Sequence, residues 1–151
     1  MGSVFADAGY WIALWHSRDS LHAKASEMAS ALGTTSLVTT QMVLTEALDA
    51  MAGLGSFRRL YAAQMVRELQ RSPQIEIISQ SDAQFDAALE RYAARADQTW
   101  GLTDCASFLV MEEKAIAEAL AYDRDFEQAG FVALLRADQN SGPQGRNVPS
   151  P

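Results

Sequence analysis

The chain has 151 residues, 48% of them hydrophobic and 21% charged, which is enough for one domain with its own core. Its net charge of −7, with lysine only at Lys24 and Lys114, excludes nucleic-acid binding through a bulk positive field, so any such binding needs a local basic patch or metal ions. A single cysteine excludes an internal disulfide and fits a reducing cytosol, and no apolar run approaches the ~20 residues that span a bilayer.

In chain order, residues 3–6 read as a strand, and residues 9–16 and 20–32 as helices broken near Ser17-Arg18-Asp19-Ser20. Asp19 or Ser20 is the expected cap of the second helix and Gly33 its stop. Leu37-Val38-Thr39 is a short strand, followed by helices over 41–52 and 56–71 on either side of Gly53-Leu54-Gly55. Ile75-Glu76-Ile77-Ile78 is the clearest strand by its β-branched content. A helix is expected over Asp82–Ala96, with Phe85, Leu89 and Tyr92 forming its apolar stripe, and another over 103–114. Residues 117–121, Ala-Glu-Ala-Leu-Ala, favour helix by propensity, but a strand fits the order better: Asp123 and Phe126 restart a helix, and Phe131–Leu135 follows as an edge strand.

Strands alternating with helices imply an α/β fold, a three-layer α/β/α sandwich around a mostly parallel sheet of about five short strands. The domain is expected over residues 1–136. From 137 to 151 the composition turns polar and rich in Pro and Gly, as in a disordered tail. The start of the chain lacks the basic segment and cleavage site of a secretory signal, so a cytoplasmic protein with no membrane attachment is expected.

Four acids stand where an unpaired anion is costly. Asp7 closes the first strand, Glu46 lies mid-helix beside an apolar face, Asp104 opens the helix after Trp100-Gly101-Leu102-Thr103, and Asp123 follows Ala119-Leu120-Ala121-Tyr122. Each also has a local explanation: Asp7 and Asp123 as helix caps, Asp104 as a first-turn acid with Thr103 as cap, Glu46 as a marginal surface residue. Taken together they suggest a metal site. Four anions about 6 Å apart repel by roughly 3 kcal/mol per pair at an effective dielectric near 20, so protons or cations must relieve them. All-oxygen ligands suit Mg2+ or Mn2+ better than zinc.

The order of four stretches resembles the PIN-domain family, especially its compact bacterial members related to VapC toxins. They are Phe5-Ala6-Asp7-Ala8-Gly9-Tyr10-Trp11, Thr40-Gln41-Met42-Val43-Leu44-Thr45-Glu46, Trp100-Gly101-Leu102-Thr103-Asp104-Cys105-Ala106-Ser107, and Ala121-Tyr122-Asp123-Arg124-Asp125-Phe126. The resemblance spans about residues 4–135. It implies a Mg2+- or Mn2+-dependent ribonuclease that leaves a 5′-phosphate and a 3′-hydroxyl, with Asp7 and Asp104 as direct ligands, Glu46 as a ligand or water positioner, and Asp123 as a weaker contributor. It implies an RNA substrate, an antitoxin protein as partner, and a homodimer through the apolar faces of the helices at 41–71, including Met42, Met51, Leu60 and Met65. Two hydroxyls common in the family are missing, at Ala8 and Ala121; Ser107 is retained and is expected to orient a water or a ligand. The competing reading is a non-catalytic PIN-like module that binds RNA or a protein.

Other features are set aside. Asp123-Arg124-Asp125 has the Asp-x-Asp form of haloacid-dehalogenase-like phosphatases, but not on the first strand; a response-regulator receiver needs a lysine that neither Lys24 nor Lys114 supplies. His16 and His22 have no metal-ligand spacing, Cys105 reads as core, and Asp49 and Asp125 read as solvated neutral positions. Arg67 with Arg71, Arg91 with Arg95, and Arg58 with Arg59 are candidate phosphate contacts, and Trp100 is a candidate exposed aromatic beside the acids.

Overall fold

Every residue of the first two strands, β1 (Val4–Ala6) and β2 (Leu37–Thr40), is buried in the computed structural model, which describes residues 2–136. A strand with no exposed face must be covered by helices on both sides, the arrangement typical of parallel sheets. Three further strands complete the sheet: β3 (Ile75–Ile78), β4 (Glu118–Leu120) and β5 (Val132–Ala133). All neighbours pair in parallel, in the order β3-β2-β1-β4-β5. Seven helices fill the connections: α1 (Ala8–Trp15), α2 (His22–Leu32), α3 (Gln41–Ala52), α4 (Ser56–Arg71), α5 (Asp82–Ala94), α6 (Leu102–Glu113) and α7 (Arg124–Gln128). The α/β expectation and the strand at 117–121 hold; the tail expected from 137 lies outside the described residues.

The strand order creates a switch point. From β1 the chain builds outward through β2 to β3, then returns to place β4 on the other side of β1. In open α/β sheets the carboxyl ends of the strands flanking such a reversal form the ligand crevice. Asp7 immediately follows β1, and its amide donates to the Leu120 carbonyl at the end of β4 (3.1 Å). The first acid is thus locked to the strand that precedes the fourth.

Two aromatic groups hold the helices. Tyr10, Trp11 and Trp15 pack along α1, with ring centroids 4.9 and 5.7 Å apart in sequence. Phe126 of α7 meets Phe5 of β1 and the edge of Phe108 of α6, whose ring also receives Trp100. Trp100 is therefore buried, not exposed beside the acids as expected.

Four local expectations also differ from the structure. α2 begins at His22 with Leu21 as its cap residue; Asp19 instead accepts from the Leu21 amide (2.9 Å), bracing the turn before the helix. α5 ends at Ala94, and its predicted core stripe of Phe85, Leu89 and Tyr92 lies 40–52% exposed. α5 instead meets α6 with Ala88 fully buried, because a small residue lets the helices approach closely and the larger side chains turn outward. The edge strand contracts to two residues, Val132–Ala133. Met42 and Met51, expected on a dimer face, are core, while Leu60 is 71% exposed.

A buried hydroxyl ties the sheet to α1. Thr39 donates to the Ala6 carbonyl (2.8 Å) and accepts from the Trp11 indole (3.3 Å), directly under Asp7. Thr39→Val keeps the shape but leaves the Trp11 N–H buried without a partner. A loss of about 2 kcal/mol is expected, read as a fall in Tm of about 4–8 °C for a domain of this size.

Candidate active site

The four predicted acids reach one cleft from four different segments. Asp7 stands in the extended conformation between β1 and α1, its carbonyl accepting from the Tyr10 and Trp11 amides (3.2 and 3.4 Å). Its side chain makes no cap hydrogen bond within α1, so the capping explanation accounts for its backbone and not for its carboxyl. Glu46 is presented by α3, whose start is fixed by Thr40: the hydroxyl accepts from the Val43 amide (3.0 Å). Asp104 sits in the first turn of α6. The cap residue is Gly101, not Thr103, and the Asp104 Oδ2 reaches back to accept from the Gly101 amide (3.0 Å). Asp123 caps α7 through its Oδ1, which accepts from the Asp125 amide (3.0 Å). Phe108 and Phe126, each about one turn beyond an acid and packed edge to face at 5.0 Å, set the spacing between Asp104 and Asp123.

Asp7, Glu46, Asp104 and Asp123 line this cleft of about 670 Å³ together with Ala8, Asp19, Arg124 and Arg136. A second cleft, between α3, α4 and β3, is lined by glutamines, Thr45 and aliphatic residues and holds no titratable group. Burial first, and then the neighbouring charges of Asp104, Glu46 and Asp123, push the Asp7 carboxyl up to about 8, although the Ala8 amide opposes the shift. Burial also raises Asp104 to about 6, against the Gly101 amide and with Asp125, Asp123 and Glu46 adding to it. Glu46 is raised by the same two causes, desolvation and the charge of Asp123. Desolvation, with the neighbouring charges adding to it, thus raises Asp7, Asp104 and Glu46 above their ordinary values.

Asp125 is the acid that the sequence reading set aside. Carboxylate oxygens of Asp104, Asp123 and Asp125 lie within 4.8 Å of one another. Its pKa is raised, by burial first and by Asp123 next. Neighbouring oxygens around Mg2+ stand ~3.0 Å apart and opposite ones ~4.2 Å, from an oxygen–metal distance of ~2.1 Å, so the three carboxylates must draw closer together to enclose one. An all-carboxylate donor set fits a hard divalent cation.

Several expected contributors stand elsewhere. The Ser107 hydroxyl is buried and donates to the Thr103 carbonyl (2.9 Å), so it serves the helix and not the cleft. His22 Nδ1 donates to the Ala13 carbonyl (2.7 Å), and His16 accepts from Arg58. Arg91 pairs with Glu112 and Arg95 with Asp97, so neither lines the cleft. Cys105 is buried core, as expected, and Asp49 is exposed outside the cleft. The cations that do line it, Arg124 and Arg136, were missed; Arg124 had a sequence signal, adjacency to the fourth acid, and Arg136, beyond α7 and β5, had none.

A carboxyl with a folded pKa above its unfolded value binds its proton more tightly when folded. Its contribution is full below the unfolded value of 3.8 and is lost as pH rises through the folded value, about 8 for Asp7 and about 6 for Asp104. In EDTA, Tm should therefore fall as pH rises from about 5 to about 9, and Asp7→Asn should be increasingly more stable than wild type across that window. A stability gap independent of pH would place the Asp7 proton elsewhere.

Comparison with known proteins agrees with this geometry. The family model described as PIN domain matches residues 4–132. The chain is 29% identical over 131 residues to the 23S rRNA-specific endonuclease VapC20 of Mycobacterium tuberculosis, in strains CDC 1551 / Oshkosh and ATCC 25618 / H37Rv, covering 87% of this chain and 97% of that protein. The crystal structure of M. tuberculosis VapC20, described as a sarcin-ricin loop cleaving toxin, superposes with a TM-score of 0.76 at 26% identity, over 86% of this chain and 97% of that one. With the model matching nearly all of the described residues and the acids gathered at the switch point of its sheet, the chain belongs to the PIN-domain family.

Proposed function

We propose that the protein is a metal-dependent ribonuclease that hydrolyses RNA phosphodiester bonds as the toxin of a toxin–antitoxin pair. The observation that carries this reading is the convergence of Asp7, Glu46, Asp104 and Asp123 in one cleft, with Asp7 and Asp104 raised toward and above neutrality. Such a set is a poor place for an anion and a good one for a divalent cation. Held by these carboxylates, Mg2+ or Mn2+ would supply an activated water and stabilise charge on the phosphoryl oxygens. Asp104, Asp123 and Asp125 are the closest-spaced ligand set; Asp7 lies deepest and orients ligands from the strand end; Glu46 faces the cleft from α3 and positions the attacking water. Hydrolysis adds water across the P–O3′ bond, leaving a 5′-phosphate and a 3′-hydroxyl. The VapC20 relatives are named for cleavage of 23S rRNA, which makes ribosomal RNA the first substrate to try, and the same reading places the protein in the cytoplasm with an antitoxin partner. No helix among the described residues is long and apolar enough to cross a membrane.

A non-catalytic module is the competing reading, favoured by the methyl group of Ala8 in the cleft wall where many family members place a hydroxyl. One isosteric change separates the two. Asp104→Asn retains the capping geometry, so a purely structural role predicts little effect. The nuclease reading predicts loss of RNA cleavage by at least about 100-fold, consistent with removal of a charged ligand. Glu46→Gln should behave alike, Asp125→Asn should be impaired, and Asp49→Asn should match wild type. Cleavage should vanish in EDTA and return with Mn2+. Wild-type cleavage by Asp104→Asn would reject the nuclease assignment.

Homodimerisation is part of the proposal. Its face is supported by the exposed Leu54, Phe57, Leu60 and Tyr61 at the α3–α4 turn and the start of α4. Sedimentation at micromolar concentration should give twice the chain mass of 16.5 kDa, and Phe57→Glu/Leu60→Glu should return the monomer. A monomer for the wild-type protein would remove this part.

A further inference from the structure

The acidic cleft poses a problem for a polyanionic substrate. Five of its lining side chains are acids (Asp7, Asp19, Glu46, Asp104 and Asp123) and two are cations, Arg124 and Arg136. Arg136 is held in place from three directions. Its Nη1 donates to the Tyr122 carbonyl (3.0 Å), its Nε lies 3.4 Å from the Glu127 carboxylate, and its guanidinium stands 4.9 Å over the Tyr122 ring. Tyr122 nonetheless remains 48% exposed, with the cation over its ring. This aromatic side chain also lines the cleft, one residue before Asp123.

We propose that Tyr122 and Arg136 form a nucleotide subsite beside the acids, in which the Tyr122 ring stacks the base flanking the scissile phosphate and the Arg136 guanidinium binds the neighbouring phosphate. The inference rests on the ribonuclease reading and assigns it a base-binding and a phosphate-binding residue. A base can lie on an aromatic ring only when it is free of its own helix, so the subsite selects unpaired nucleotides, in single strands or loops, over duplex RNA. Stacking is tolerant of base identity, because every base has a π-face. Arginine suits the second role because its planar fork keeps donors available after two have been used within the protein. Glu127 holds that fork in place before the substrate arrives.

The test uses the full chain with Mn2+ and a short single-stranded RNA containing a mapped cleavage site. It is compared with versions carrying an abasic ribose on either side of the cleaved bond. One abasic position should cost the wild-type protein about tenfold in kcat/KM, carried by KM, within the range for base–aromatic stacking. Tyr122→Leu should lose the same factor on intact RNA and nothing more on the abasic one. Tyr122→Phe should resemble wild type. Leucine keeps the backbone carbonyl that Arg136 binds, so an unchanged Tm and kcat separate stacking from a structural role. Arg136→Gln should raise KM and lower the salt dependence of binding by about one counterion, with Arg136→Lys restoring the latter. Tyr122→Leu and abasic losses that multiply, or an unchanged KM in Tyr122→Leu, would overturn the subsite. Were the wild-type protein to cut no RNA, the ribonuclease reading would fail instead. Anisotropy of labelled RNA against a fully abasic strand, in wild type and Tyr122→Leu, would then still decide whether Tyr122 binds bases.

Discussion

A carboxyl group buried at the end of the central strand dominates the energetics of this fold. Asp7 is 8% exposed, carries no side-chain cap bond, and faces three other acids across one cleft. Desolvation penalises its charged form before any neighbour is counted, and the neighbours add to that penalty. Without a cation, this balance favours the protonated form of Asp7 at neutral pH. The surrounding packing must therefore be strong enough to keep the acids together against their repulsion.

That packing comes from both layers of helices. On one side, Thr39 links β2, β1 and the Trp11 indole just beneath Asp7, and Thr40 sets the first turn of α3 so that Glu46 faces the cleft. On the other, Phe108 and Phe126 meet edge to face and fix the starts of α6 and α7, where Asp104 and Asp123 stand. The acids are presented by helix beginnings and one mid-helix position, while the residues that resist their separation lie a turn away in the core. A site that is costly in isolation is stabilised by order in its supports, which is how strained functional sites persist.

The charge balance also shapes how RNA can approach. With a net charge of −7, long-range attraction is absent, and recognition must come from contacts at the cleft itself. Arg91 and Arg95, at the end of α5 and just beyond it, are bound to Glu112 and Asp97, whereas Arg136 is fixed against Tyr122 at the cleft wall. Location relative to the acids, and not number of arginines, decides which cations matter.

Much of the candidate site was legible without coordinates because three of its four acids have a local signature. A short apolar strand, an acid and an apolar helix identify Asp7; a helix start expected at residue 103 identifies Asp104; an acid between a strand and a short helix identifies Asp123. Element order and the parallel sheet follow from the same local patterns, since strand and helix periods differ. Periodicity reports that a face is apolar but not what covers it. Only tertiary structure turned Phe85, Leu89 and Tyr92 outward, sent Met42 and Met51 into the core, and buried Trp100. Proximity across the chain is likewise a property of the sheet order: β4 returning beside β1 brings Asp123 to Asp7, and the start of α7 carries Asp125 into reach of Asp104. The residues and their chemical types are local facts encoded along the chain, whereas which charges face one another depends on where the backbone reverses its course.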